Sequence, residues 1–275
     1  MTVVLVHGVP ETSAVWDLLV PHLSRGPVVR LAPPGFGAPV PGGFSATVRE
    51  YRDWLVGALE PIVAADGPVD LVGHDWGGVQ AVNVAMTRPD LLHTWVSDAL
   101  GILDQGYVWH ARAQTWQQEG AGEELLGRWL AVGPEAFAGQ LTAVGMHPQV
   151  ARRVAAGFDE AMADSILRLY RSAVQPAMAK LGADLEKAAA IPGLALIPSE
   201  DHMTGPVGGA QRAAARSGSH VQLLDGLGHW WMTQDPVRGA AALNRFWGTV
   251  TPHSSTHRVG EPDGVQTGGS APFDR

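Results

Sequence analysis

The segment 73–78, Gly-His-Asp-Trp-Gly-Gly, constrains the fold of this chain more than any other stretch. It directly follows the apolar run 69–72 and directly precedes a segment with helical periodicity. The pattern Gly-x-Asp-x-Gly is typical of a sharp strand-to-helix turn, in which the central residue has a strained backbone and a presented side chain. Glycine is needed at the flanking positions because a Cβ there would collide with the neighbouring strand or helix. The sequence therefore predicts that Asp75 lies at the end of a buried strand.

Strand-like and helical segments alternate on both sides of this turn. The strand-like segments are short runs of β-branched and aliphatic residues, at 2–6, 28–31, 69–72 and 94–97. Between them, apolar residues recur at helical spacing over 11–23, 45–65 and 78–87. Alternation of this kind, with short loops, predicts a parallel sheet that is covered by helices on both faces.

The alternation stops after the fourth strand and resumes near residue 193. The intervening residues contain no convincing strand, but five Ala-, Leu- and Arg-rich helical segments, at 107–118, 123–131, 134–143, 148–156 and 159–173. Strands at 193–197 and 221–224 and a helix at 236–247 then complete the pattern. We therefore expect an α/β core domain formed by 1–102 and 191–250, a helical cap domain at 103–190 and a disordered tail at 251–275.

Composition excludes several classes of function. The net charge of −8 and the scattered Lys and Arg residues argue against a nucleic-acid partner. No apolar run approaches the roughly 20 residues of a membrane helix, so no membrane partner is expected. The chain has no cysteine, which excludes thiolate chemistry. Without the basic and apolar regions of a signal peptide at its start, a cytoplasmic protein is expected.

Four motifs in a fixed order now show that the chain resembles the α/β-hydrolase superfamily. They are His-Gly-Val-Pro at 7–10, the turn at Asp75, the acidic loop after Ile197, and Gly-His-Trp at 228–230. Within the superfamily, an aspartate in the turn is similar to the branch of epoxide hydrolases, haloalkane dehalogenases and fluoroacetate dehalogenases. The resemblance implies the α/β-hydrolase fold, a mostly parallel central sheet flanked by helices with an inserted all-helical cap. The family usually has a strand pair before the His-Gly loop, so the sheet is shortened at that edge or the gene start is misassigned.

The resemblance implies a role for each of several groups around Asp75. Asp75 would be a nucleophile that forms an ester with the substrate, although aspartate at such a turn also serves as a plain helix N-cap. The backbone N–H groups of Val9 and Trp76 would hold the oxyanion formed during hydrolysis. His229 would activate the hydrolytic water.

The base needs a carboxylate on its other ring nitrogen, and two candidates exist. Asp201 follows the strand at 193–197 by the spacing that the family uses, and it is favoured. Asp98 follows the strand at 94–97, where haloalkane and fluoroacetate dehalogenases keep their acid.

The cap residues bear on the substrate class. Epoxide hydrolases are similar to one another in using cap tyrosines to donate a proton to the epoxide oxygen. Tyr170 matches one of these tyrosines, and the second position holds Trp116, with Tyr107 as another route to the same space. Simple packing of these aromatic rings in the cap is the alternative interpretation.

Two absences favour epoxide opening over loss of a halide. Haloalkane dehalogenases have an asparagine where this chain has Val9, and fluoroacetate dehalogenases have arginines where it has Trp76 and Val79. The sequence thus predicts an epoxide hydrolase that needs no cofactor or metal, and whose partners are a small apolar epoxide and water. A dehalogenase on the same scaffold and a non-catalytic ligand-binding relative are the alternatives. The other histidines, including His110, are predicted to be surface or cap residues, and His253 and His257 to hold no metal.

Overall fold

A six-stranded parallel sheet forms the centre of the molecule, whose computed structural model describes residues 1–250. The spatial order is β2-β1-β3-β4-β5-β6. The strands are β1 (Val3–Val6), β2 (Val28–Leu31), β3 (Val69–Gly73), β4 (Leu92–Ser97), β5 (Gly193–Pro198) and β6 (His220–Leu224). Strand order reverses at β1, which pairs with β2 on one side and β3 on the other. In open α/β sheets, ligands bind outside the carboxyl ends of the strands at such a point.

The burial of the strands explains why their sequences are apolar runs without alternation. Every residue of β1, β3, β4 and β5 is buried, since helices cover both faces of the sheet. The edge strands β2 and β6 are only partly covered. The predicted α/β-hydrolase architecture is confirmed.

Five helices belong to the core. They are α1 (Val48–Asp66), α2 (Trp76–Thr87), α8 (Val207–Ser217), α9 (Trp231–Gln234) and α10 (Pro236–Thr249). All but the last residue of α2 are buried, because this helix packs against β3 and β4 directly behind the turn at Asp75. The predicted helix at 11–23 is wrong, since this stretch contains two short 3-10 turns, Ser13–Trp16 and Val20–His22. Pro21 lies in the second turn and has no N–H to donate.

The chain between β4 and β5 is helical, as the sequence predicted for the cap. Its elements are α3 (Ala111–Gln117), α4 (Ala121–Ala143), α5 (Pro148–Ala156), α6 (Glu160–Ser172), α7 (Ala177–Leu181) and the 3-10 segment Gly182–Ala190. Helix α3 begins later than the predicted residue 107, because the His110 side chain caps it by accepting from Ala113 N–H. The two helices predicted at 123–131 and 134–143 form one helix that kinks at Gly133.

The division into a core and a cap domain remains our interpretation of this insertion. The predicted tail at 251–275, with His253 and His257, lies outside the described residues. Within residues 1–250, no helix has the length and apolar character to cross a membrane.

Candidate active site

The turn between β3 and α2 holds Asp75 in a backbone conformation that few residues adopt. Its φ is 51° and its ψ is −121°. A Cβ on Gly77 would lie 2.2 Å from the Val6 carbonyl oxygen, and one on Gly73 would lie 2.2 Å from the Gly77 carbonyl oxygen. The two glycines are therefore required by the close contact of the turn with β1 and with the start of α2.

The Asp75 carboxylate is held by the His-Gly loop that follows β1. Val9 N–H donates to Asp75 Oδ1 at 3.0 Å. Oδ2 lies 3.9 Å from His229 Nε2. Although Asp75 is the N-cap residue of α2, its side chain makes no capping hydrogen bond. The two carboxylate oxygens thus have different surroundings, one fixed by a backbone amide and one turned toward the imidazole.

A second backbone donor is available beside the first. Trp76 is the first residue of α2, and N–H groups in the first turn of a helix have no partner within the helix. Val9 N–H contacts the Asp75 carboxylate, and Trp76 N–H lies in the first turn of α2 next to it in the chain. Their role as an oxyanion site stays a prediction.

His229 lies in the loop after β6 and is oriented by the acidic loop after β5. Its Nδ1 donates to Asp201 Oδ2 at 2.9 Å. Met203 N–H donates to Asp201 Oδ1 at 2.7 Å, and the Thr204 hydroxyl donates to Oδ2 at 3.0 Å. With Nδ1 occupied in this way, His229 Nε2 faces Asp75.

Asp98, the rival candidate, has a different set of partners. Its Oδ1 accepts from Asp75 N–H at 2.8 Å. Its Oδ2 accepts from His74 Nδ1 and from Trp231 Nε1, each at 2.6 Å. Asp98 therefore braces the backbone of the turn from behind, while Asp201 contacts His229.

A buried ionic network that the sequence did not predict lies under the turn. His74 contacts Asp98 through Nδ1 and Glu11 Oε1 through Nε2, the latter at 3.0 Å. Glu11 also accepts from Gly8 N–H at 3.2 Å and from the Trp230 indole N–H. All of these side chains are buried. Because they come from separate loops, no regular spacing in the sequence indicates that they meet.

The network and His229 bring three titratable side chains close together. Ligand atoms of Glu11, His74 and His229 lie within 4.8 Å of one another. Burial alone would lower the pKa of His74, but the charges of Asp98 and Glu11 raise it well above its ordinary value.

The pKa values of the three central groups follow from burial and mutual charge. Burial raises the pKa of Asp75 to about 6, against the opposing effect of the charges of His229 and His74. Burial lowers the pKa of His229, but the charge and hydrogen bond of Asp201 outweigh it and leave this pKa above its ordinary value. The pKa of Asp201 stays well below its usual range, because the charge of His229 and its hydrogen bonds overcome burial.

A narrow cavity lies between Asp75, His229 and the helices that follow β4. Trp116 of α3, Leu141 of α4 and Tyr170 of α6 form its cap side. Its volume is about 10 Å³, which is room for one water molecule. Burial and the Asp75 charge raise the pKa of Tyr170 well above its usual range, so its hydroxyl stays protonated.

Trp116, the predicted second cap donor, packs against other aromatic rings. The Trp116 ring lies 4.7 Å from that of Tyr170 and 5.8 Å from that of Trp129. Its buried Nε1 has no acceptor within residues 1–250. The Tyr107 hydroxyl instead donates to the Met203 carbonyl at 2.7 Å. Trp116, and not Tyr107, therefore lines the cavity.

Two further cap residues on the cavity wall were missed from the sequence. His110, which was predicted to be a surface or cap residue, and Arg112 flank the start of α3 and line the cavity with Asp75 and His229. No motif surrounds them, and the only signal available was their place beside Trp116 on one short helix.

The comparison with known proteins agrees with this fold. The profile of the alpha/beta hydrolase family matches residues 3–243. The chain belongs to the α/β-hydrolase family.

Individual relatives have several activities. A segment of 90 residues is 31% identical to (E)-2-((N-methylformamido)methylene)succinate hydrolase of Acinetobacter baylyi, covering 32% of this chain and 34% of that protein. A segment of 93 residues is 32% identical to an epoxide hydrolase of Caballeronia sordidicola, covering 32% and 27%. The matches thus span about a third or less of these curated relatives. The structure is similar to a haloalkane dehalogenase from Bradyrhizobium elkani, with a TM-score of 0.68, 19% identity and 90% coverage of both chains.

Proposed function

We propose that this protein is an epoxide hydrolase that works without a cofactor, through an ester on Asp75. The observation that carries the proposal is the unequal placement of the two Asp75 oxygens. Oδ1 accepts from Val9 N–H, whereas Oδ2 is turned toward His229 in the cavity that Tyr170 closes. This placement is suited to a carboxylate that attacks through one oxygen while the other stays fixed.

In the first step, Asp75 Oδ2 attacks an epoxide carbon. A carbon–oxygen bond forms to the carboxylate as the ring carbon–oxygen bond breaks, and the electron pair of that bond moves to the epoxide oxygen. Tyr170 donates its proton to this oxygen, and Trp116 Nε1–H supports it with a hydrogen bond. An indole keeps its proton under these conditions, so proton transfer depends on Tyr170.

In the second step, water hydrolyses the ester. His229 Nε2 takes a proton from water, and the hydroxide adds to the Asp75 carboxyl carbon. The oxyanion develops on Oδ1, where Val9 and Trp76 N–H groups stabilise it. Breakage of the ester bond releases the vicinal diol and restores the carboxylate, and the proton on His229 returns to Tyr170 through solvent. Asp201 holds the imidazole in the required tautomer.

Ester formation itself prepares the base for this second step. The Asp75 charge contributes to the raised pKa of His229. Since the ester is neutral, this contribution disappears, the pKa of His229 falls, and the imidazole becomes available to deprotonate water.

Loss of a halide is the second candidate function, and the Trp116 N–H favours it. An indole N–H that has no acceptor among the described residues is able to hold a leaving halide as well as an epoxide oxygen. The valine at position 9, in place of the asparagine of haloalkane dehalogenases, and a tyrosine hydroxyl in the cavity support the epoxide instead.

The test is to trap the ester. In a His229→Gln variant incubated with styrene oxide, intact-mass measurement should show the mass of the epoxide added to the protein, and peptide mapping should place it on Asp75. Asp75→Ala should show no addition. Absence of an adduct with any reactive epoxide or bromoalkane would indicate a non-catalytic relative. An adduct and halide release with 1-bromobutane, but none with epoxides, would assign the protein as a dehalogenase.

A further inference from the structure

One positive charge in the catalytic cavity has no carboxylate partner. Arg112 of α3 is half-buried, and within residues 1–250 no Asp or Glu oxygen lies within salt-bridge distance of its guanidinium. Among residues 1–250, the guanidinium makes a cation–π contact with Trp129, whose ring centroid lies 5.3 Å from the guanidinium carbon. A cation–π contact supports the guanidinium through its flat face and leaves the N–H edges open.

The other cap arginines show that pairing is the rule in this part of the chain. Four of them each contact an acidic side chain, namely Arg128, Arg153, Arg168 and Arg171. Arg152 is exposed to water and needs no partner. Among the cap arginines in residues 1–250, Arg112 is the one that is half-buried and has no acid partner. Since a partly desolvated charge without a counter-ion costs stability, its presence on the cavity wall points to a ligand.

The neighbouring His110 adds a neutral donor. Its Nδ1 accepts from Ala113 N–H at 3.2 Å, so that the ring proton is on Nε2. Burial and the charge of Arg112 lower the pKa of His110 to about 4, so the ring is uncharged at neutral pH. The cavity wall at the start of α3 therefore has one formal positive charge and one neutral N–H donor.

We propose that Arg112, assisted by His110, binds a carboxylate group on the substrate, so that the physiological epoxide is an acid. A guanidinium matches the two oxygens of a carboxylate with two parallel hydrogen bonds. A single positive charge suits a monoanion rather than a phosphate dianion, since the Asp75 carboxylate lines the same cavity. The apolar wall, which includes Leu141, Met203 and Val9, suits the carbon skeleton between the epoxide and the acid. This inference rests on the proposed function.

The kinetic test uses two epoxides of the same shape. 4-(Oxiran-2-yl)benzoate carries the charge, and 4-(oxiran-2-yl)benzamide does not. In wild-type enzyme, kcat/KM should be at least about tenfold higher for the benzoate, and Arg112→Gln should lower it by about 30-fold for the benzoate and leave the benzamide within about twofold. Arg128→Gln, at an exposed cap arginine, is the control and should change neither. Equal rates for the two epoxides in the wild type, or an equal loss for both in Arg112→Gln, would overturn the proposal.

A binding test separates this inference from the proposed function. Calorimetry with the unreactive 4-ethylbenzoate and 4-ethylbenzamide should show tighter binding of the benzoate, and Arg112→Gln should abolish the difference. If neither epoxide yields diol but the binding difference is present, the epoxide assignment fails and the acid-binding site stands. If diol forms from both epoxides without a binding difference, the acid-binding site fails and the epoxide assignment stands.

Discussion

Asp75 and His229 share one electrostatic environment, and each sets the protonation of the other. Burial raises the pKa of Asp75 to about 6, and the charge of His229 keeps it from rising further. The charge of Asp75 in turn raises the pKa of His229, which Asp201 holds above its ordinary value despite burial. The carboxylate is thus largely ionised at neutral pH and still desolvated enough to be reactive.

The rate of ester formation should follow this ionisation. Under the proposed function only the carboxylate attacks, so the rate in wild-type protein should fall as pH drops, with a half-maximal value near pH 6, and level off above it. Rapid-quench intact-mass measurement of the adduct over about pH 5 to 8 would record this curve. In His229→Gln the midpoint should move to higher pH, since the charge that lowers the pKa of Asp75 is gone. A pH-independent rate, or a midpoint that moves down, would contradict this account.

At the scale of single elements, the turn between β3 and α2 packs so closely against β1 that a side chain at Gly77 would not fit. Gly77 packs against the Val6 carbonyl of β1, which is a backbone atom in the middle of the sheet and has no freedom to move aside. The turn, the His-Gly loop and Asp98 together fix one carboxyl group. The rigidity of Asp75 therefore originates in backbone packing rather than in the aspartate itself.

Two glycine-to-alanine changes should have opposite effects on stability. Gly77→Ala would place a Cβ 2.2 Å from the Val6 oxygen, and it should lower the free energy of unfolding by about 3 kcal/mol or more. A Cβ added to Gly127 in α4 would meet no atom within 4 Å, so Gly127→Ala should raise stability by about 0.5–1 kcal/mol through helix propensity. Urea denaturation measures both. A Gly77→Ala protein of wild-type stability would show that the turn relaxes freely.

At the scale of the whole molecule, the proposed function needs more space beside Asp75 than the structure contains. The cavity of about 10 Å³ has no room for an epoxide. The helices between β4 and β5 contact the rest of the described chain through polar pairs, among them the hydrogen bond of 3.0 Å from Gln234 to the Gly145 carbonyl and the ion pair of Arg153 with Asp17. Under the proposed function, an epoxide binds only when this contact surface opens.

The volume under the cap should set which epoxides are accepted. Leu141 and Leu126 both lie on α4 and are both buried, but only Leu141 lines the cavity. Replacement of either by alanine should cost about 2–5 kcal/mol of stability. Leu141→Ala alone should raise the ratio of kcat/KM for trans-stilbene oxide to that for styrene oxide. An equal rise in Leu126→Ala would indicate that general loosening of the cap, and not the cavity wall, controls size.

The sequence by itself determined the class of fold and the residues of the turn. Apolar runs mark strands buried on both faces, and the Gly-x-Asp-x-Gly pattern reflects local sterics, so both are readable without a structure. The resemblance of four ordered motifs also indicated His229 and Asp201 as candidates. The helix predicted at 11–23 is instead two 3-10 turns, although the apolar residues have helical spacing.

Only the tertiary structure decided which groups meet. The sequence favoured Asp201 by its spacing but left Asp98 as a rival, and their different partners depend on where β4 and β5 end in space. Glu11 and His74 are in contact although they lie 63 positions apart in the chain. Arg112 lines the same cavity as Asp75 and His229, which are also distant from it in sequence. Local sequence carries no record of such pairs, because burial and charge act through space and not along the chain.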